Sequence, residues 1–171
     1  MKYILLLFLL FFQLCIFSQE DLQLRASIDA AKGFGKNLDA GSQPIGNAIT
    51  TLTLGLVKNG ISLGIGAGIF KMDGTKAHDH YIPVYGELSY LVPGDKVSPF
   101  FGVKIGKLLP DKKSNNPYPL LNRSTVFYQP SIGLAIDLQI VYLMPFLDYF
   151  VPANFNARYD TFGAGLRIMT H

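Results

Sequence analysis

Along Leu22-Gln23-Leu24-Arg25-Ala26-Ser27-Ile28-Asp29-Ala30 every even position is apolar and almost every odd one polar. A period of two puts alternate side chains on opposite faces of an extended strand, one face greasy and one wet. The pattern returns about eight times along the chain, separated by polar connections rich in turn formers. It predicts strands over residues 22–34, 48–57, 61–71, 81–92, 97–108, 125–136, 138–147 and 157–169. The stretch 138–147 is apolar on both faces and is the least regular of the set.

The connections carry as much information as the strands. Residues 35–46, 73–80, 110–124 and 148–156 form long polar links, whereas Lys58-Asn59-Gly60, Pro93-Gly94-Asp95-Lys96 and the neighbourhood of Asp137 are short turns. Asn-Gly supplies the positive φ that a tight hairpin requires. Long and short links therefore alternate strictly. A transmembrane barrel with an even strand number and both termini on one side has that asymmetry: tight turns at one end, longer loops at the other. A soluble sandwich has no reason to keep it. Strands of about ten residues also suit a tilted crossing of a bilayer.

Residues 1–18 carry Lys2 and then an almost unbroken apolar run from Tyr3 to Phe12, with Ile16 and Ser18 ahead of Gln19. That is the pattern of a cleaved signal peptide. The run is shorter than the roughly 20 residues of a membrane-spanning helix. Cys15, the one cysteine, lies inside this leader and lacks the small neighbours of a lipoprotein site, so the mature chain has no thiol chemistry. Residues 19–171 form one domain, and the formal charge, +3 for the whole chain and +2 without Lys2, is too small and too scattered to point to nucleic acid.

The inward parity collects the polar residues. Arg25, Asp29, Glu87, Lys104, Gln129 and Arg167 share it with glycine and serine, which predicts an interior polar network of structural character. With residues 93–96 as the turn, Glu87 would lie opposite Gly102 and diagonal to Lys104. Repeated glycine in the third strand (Gly64, Gly66, Gly68) makes room for long side chains reaching in from other strands. Such an interior is filled, so neither an open pore nor an ion path follows. Tyr81, Tyr90, Phe100, Phe101, Tyr118, Phe127, Tyr128, Tyr142, Phe146, Tyr149, Phe150, Phe155 and Tyr159 fall near strand ends, where interface belts form.

The stretches Leu63-Gly64-Ile65-Gly66-Ala67-Gly68, Ile82-Pro83-Val84-Tyr85-Gly86-Glu87-Leu88-Ser89-Tyr90 and Ser98-Pro99-Phe100-Phe101-Gly102-Val103-Lys104-Ile105-Gly106 resemble the outer-membrane β-barrel domain family of Gram-negative bacteria. The resemblance covers the mature chain and implies an all-β, eight-stranded, antiparallel up-and-down transmembrane barrel in the cell outer membrane. It implies outer-membrane lipid as surroundings and the barrel-assembly machinery as partner during insertion. Members often end in an aromatic residue, whereas this chain ends Arg167-Ile168-Met169-Thr170-His171.

The expected role is structural or surface-directed, through loops 35–46 and 110–124, which are open to an extracellular ligand or protein. No catalysis and no cofactor are expected. His78-Asp79-His80 offers imidazole and carboxylate donors, but three groups on a loop fall short of a closed metal site. An acyl-modifying enzyme would need a nucleophile with a histidine base in reach, and only His78, His80 and His171 exist. The other alternative is a soluble barrel carrying an apolar ligand, which needs its greasy face inside.

Overall fold

The computed structural model describes residues 22–37, 43–73, 78–110, 125–153 and 160–171. Residues 1–21, and with them the proposed leader, lie outside the described residues, as do the loop segments 38–42, 74–77, 111–124 and 154–159.

Eight strands follow one another: β1 (Gln23–Asn37), β2 (Gln43–Lys58), β3 (Ile61–Asp73), β4 (His78–Leu91), β5 (Val97–Pro110), β6 (Thr125–Asp137), β7 (Val141–Pro152) and β8 (Thr161–Thr170). Each pairs antiparallel with the next, and β8 pairs with β1 to close the barrel. Closure removes every sheet edge. Stepping from Gln23 across successive hydrogen-bonded partners (Val57, Ser62, Ser89, Gly102, Ser131, Asp148, Gly163) returns to β1 at Gly33, ten residues further on. For eight strands that stagger corresponds to a tilt of about 40°.

The alternation read from the sequence sorts the side chains. Leu24, Ile28, Leu52, Leu54, Leu63, Ile65, Ile69, Ile105, Ile132 and Ile168 all face outward and exposed, while their odd or even neighbours point into the lumen. On β1 the outward apolar residues run from Leu24 to Phe34. Ten residues at that tilt span about 25 Å, the height of a lipid-facing apolar band. A lipocalin-like barrel would need the opposite facing.

Five strands, β1 to β5, run longer than expected at the loop end, whereas β8 begins only at Thr161. β2 begins at Gln43 and β4 at His78, so the connections around residues 35–46 and 73–80 are partly strand. β7 is displaced: Leu138 to Ile140 form the turn, where Gln139 donates its backbone N–H to Asp137 Oδ1 at 2.6 Å, and the strand continues through Asp148 to Pro152. The register between β4 and β5 also differs from the simple hairpin. Leu91 pairs with Phe100, and Val92 N–H donates to Pro99 O at 3.0 Å. The wider connection slides β5 by two residues, so Glu87 stands opposite Lys104, and Gly102 opposite Ser89.

Candidate functional site: the closed interior

The lumen is layered. On the loop side, Ile49, Phe70, Tyr81, Tyr85, Leu108, Phe127 and Phe150 pack into one buried cluster. Phe70 and Phe127 both stack on Phe150, with ring centroids 4.8 and 5.3 Å away. On the turn side, Phe100, Ala135, Met144, Phe146 and Met169 form a second cluster. Five of the aromatic residues expected in interface belts (Tyr81, Phe100, Phe127, Phe146 and Phe150) therefore line the inside instead, because each carries the inward parity of its strand. Tyr90, Phe101 and Tyr128 are exposed on the outer face. The same packing explains why β7 is apolar on both faces: Met144, Phe146 and Phe150 supply both inner clusters.

A charged belt lies between the clusters. Arg167 on β8 donates from Nε to Asp29 Oδ1 at 2.8 Å and from Nη2 to Asp29 Oδ2 at 2.9 Å, a two-pronged pair across adjacent strands. Its Nη1 reaches across the lumen to Glu87 Oε1 at 2.6 Å. Lys104 on β5 pairs with Asp29 Oδ2 from the far side and donates to Thr51 Oγ1 at 3.0 Å. Asp29 thus binds two cations and Arg167 two anions, giving a neutral tetrad. All four side chains are nearly sealed from solvent. Buried charges are tolerable only when paired and hydrogen-bonded in this way.

Neighbours complete the bonding. Thr53 Oγ1 lies 2.8 Å from the Tyr85 hydroxyl and donates to Glu87 Oε2 at 3.3 Å. Lys104 Nζ sits 4.9 Å from the centre of the Tyr85 ring, and the Arg167 guanidinium 5.6 Å from that of Phe100. Each apolar cluster therefore also touches the charges. Gly66 leaves the space that the Tyr85 ring occupies.

Gln129 joins a separate pair, donating from Nε2 to Asp148 Oδ2 at 2.5 Å. Asp148 was expected in a loop; the displaced β7 puts it in the lumen, where Gly163 makes room for its carboxylate. Its place on the inward parity of Met144 and Phe146 is the signal in the sequence that could have found it. Arg25 stands apart at the turn end, only partly buried, with its guanidinium over the Tyr142 ring at 5.6 Å. Tyr142 in turn stacks on His171, whose Nε2 lies 3.1 Å from Asp137 Oδ1. Of the histidine-rich stretch, His80 is exposed and on the outward parity; the side chains of His78 and Asp79 lie outside the described residues.

Little space is left over. A void lined by Ser27, Thr53, Ser62, Ser89 and Arg167 holds about 10 Å³, the lower limit for one water molecule. The four charged groups of the belt, Asp29, Glu87, Lys104 and Arg167, are locked in ion pairs between two apolar layers.

No family model matches the sequence, and no curated protein sequence does so. Solved structures do match. The crystal structure of Neisserial surface protein A (NspA) superimposes with a TM-score of 0.66 at 11% identity, covering 88% of this chain and 99% of that one. The N-terminal β-barrel domain of Pseudomonas aeruginosa OprF gives 0.52 at 11% identity, covering 85% and 96%. The layered interior, the outward apolar band and these superpositions together give the chain the fold of the small eight-stranded outer-membrane β-barrels.

Proposed function

We propose that this protein is an integral outer-membrane barrel that seals rather than conducts, acting structurally or through its loops at the cell surface without catalysis. In this reading residues 1–18 are a removed leader, and the assembly machinery inserts the barrel. The turn end faces the periplasm, and the loops around 35–46 and 110–124 face outward. The observation that carries the reading is the outer face: Leu24, Ile65 and Phe162 are each more than 70% exposed, within a band that encircles all eight strands. A soluble protein does not leave so large a contiguous apolar surface to water. The interior tetrad, with the Gln129–Asp148 pair and the more open Arg25 at the turn end, is taken as scaffolding, because the tetrad's charges satisfy one another and two packed layers close it off.

Heat-modifiability on a detergent gel tests the fold in solution: the unboiled chain should migrate faster than the boiled one. Protease shaving of intact cells should then cut only in the long loops. Reconstituted into planar bilayers, the chain should give no sustained stepwise conductance. A mature chain that is monodisperse in buffer without amphiphile defeats the proposal.

A further inference from the structure

The outward face is uncharged over most of its height: apart from Lys58 at the turn end of β2, its described charged side chains gather at the loop end of one side. Lys32 on β1, Lys71 on β3 and Lys107 on β5 all point outward near the loop end. His80, exposed on β4, is the ladder partner of Lys71. On the intervening β2, the neutral Thr50 is exposed. The opposite side, β6 to β8, carries Val126, Tyr128 and Phe162 at this level instead.

Lys32 and Lys107 do not sit above the apolar band; they are inside its last rung, whereas Lys71 follows Ile69, the last outward apolar residue of β3. Phe34 lies beyond Lys32 on the same face of β1, and Leu109 beyond Lys107 on β5, and both are exposed. The Lys32 ammonium stands 5.4 Å from the centre of the Phe34 ring, so the side chain extends toward the loop end. A lysine at that depth must lift its charge to the headgroup level, and the position is favourable when an anion waits there. Five adjacent strands at about 4.8 Å spacing make the arc roughly 20 Å wide. That exceeds one phosphodiester headgroup and suits a lipid bearing several phosphates.

We propose that the arc of Lys32, Lys71, Lys107 and His80 binds the phosphate groups of the outer leaflet's phosphorylated glycolipid, holding an annular shell of it on the β1–β5 side. The assignment rests on the membrane orientation proposed above, which puts the loop end in that leaflet.

The test titrates the folded full chain in mixed micelles with lipopolysaccharide, with dephosphorylated lipopolysaccharide, and with phosphatidylglycerol, reading retained lipid by native mass spectrometry. Lipopolysaccharide should bind most tightly. Each lysine near a charged lipid surface is worth about fivefold in affinity, so K32Q/K71Q/K107Q should lose on the order of a hundredfold. The triple Lys→Arg variant should retain binding. If the triple glutamine variant fails to fold, K107Q alone should lose about fivefold. Equal binding by wild type and the glutamine variants, by the dephosphorylated lipid, or by phosphatidylglycerol would overturn the assignment. The gel shift on boiling is scored in parallel: a chain that shifts but ignores phosphate sinks only this inference, whereas one that never shifts sinks the barrel reading beneath it.

Discussion

Glu87 and Lys104 stand directly opposite each other on the β4–β5 ladder, yet their ion pairs run across the lumen, Glu87 to Arg167 and Lys104 to Asp29. The arrangement cross-braces the barrel. Arg167 and Asp29 already share the closing β1–β8 seam, so the pairs to Glu87 and Lys104 tie that seam to the far wall. A pair confined to β4 and β5 would strengthen only strands that a short turn already joins.

The bracing makes the tetrad's response to mutation specific. Asp29→Asn leaves Lys104 and Arg167 with one carboxylate between them, and breaking a buried pair costs about 3–5 kcal/mol. Asp29→Asn with Lys104→Gln removes one charge of each sign and keeps the Arg167–Glu87 pair. The double variant should be more stable than Asp29→Asn alone, a non-additivity expected of directly interacting groups. Urea unfolding in vesicles, followed by tyrosine fluorescence and the gel shift, measures both. Equal midpoints for the two variants would mean that Lys104 and Asp29 do not support each other.

Two glycines test the packing from inside and outside. An ideal Cβ at Gly66 would lie 2.5 Å from Tyr85 Cζ and 2.6 Å from Leu52 O, so Gly66→Ala must push the ring that bonds Thr53. Overpacking of this kind costs about 1–3 kcal/mol. At Gly86, which faces outward, the nearest atom to an added Cβ is Gly64 O at 3.9 Å. Gly86→Ala should be neutral or stabilise by about 0.5 kcal/mol through the unfolded chain. The thermal midpoint of the gel shift should therefore fall for Gly66→Ala and hold or rise for Gly86→Ala, and a loss at both positions would argue that the lumen is not the tightly filled side.

Turns separate what the sequence made legible from what it concealed. Asn59 and Gly60 have φ of 51° and 81°, as the Asn-Gly pair anticipates. Gln139 has φ of 73° with no such signature, because the Asp137 side chain and not a glycine shapes that turn. Without the signal, β7 reads three residues early and Asp148 falls into a loop. Parity survives such shifts, since a face is defined by period two wherever the strand starts; this is why Arg25, Asp29, Glu87, Lys104, Gln129 and Arg167 could be placed on one face from sequence. Which of them would touch could not be read, because cross-lumen partners depend on the ten-residue stagger, a property of all eight registers together. Relief of the strained φ gives a direct check: Gln139→Gly should stabilise by about 1 kcal/mol, visible as a higher thermal midpoint. No change would place the φ strain elsewhere than at this residue.

The sharpest test of the outer face uses one charge at two depths. Ile65 is 75% exposed and lies near the middle of the apolar band on β3, whereas Phe34 is 62% exposed at its loop-end limit on β1. In water the two substitutions Ile65→Lys and Phe34→Lys would be nearly equivalent, since both replace a solvated apolar side chain with a solvated cation. In a bilayer they differ: a lysine at mid-depth costs about 2–4 kcal/mol, and one at the interface about 0–1. Ile65→Lys should therefore lower folding stability in vesicles by several-fold more than Phe34→Lys, and thinner lipid should shrink the gap by bringing the interface closer to position 65. Equal effects of the two lysines in every lipid would mean that hydrocarbon does not surround this barrel.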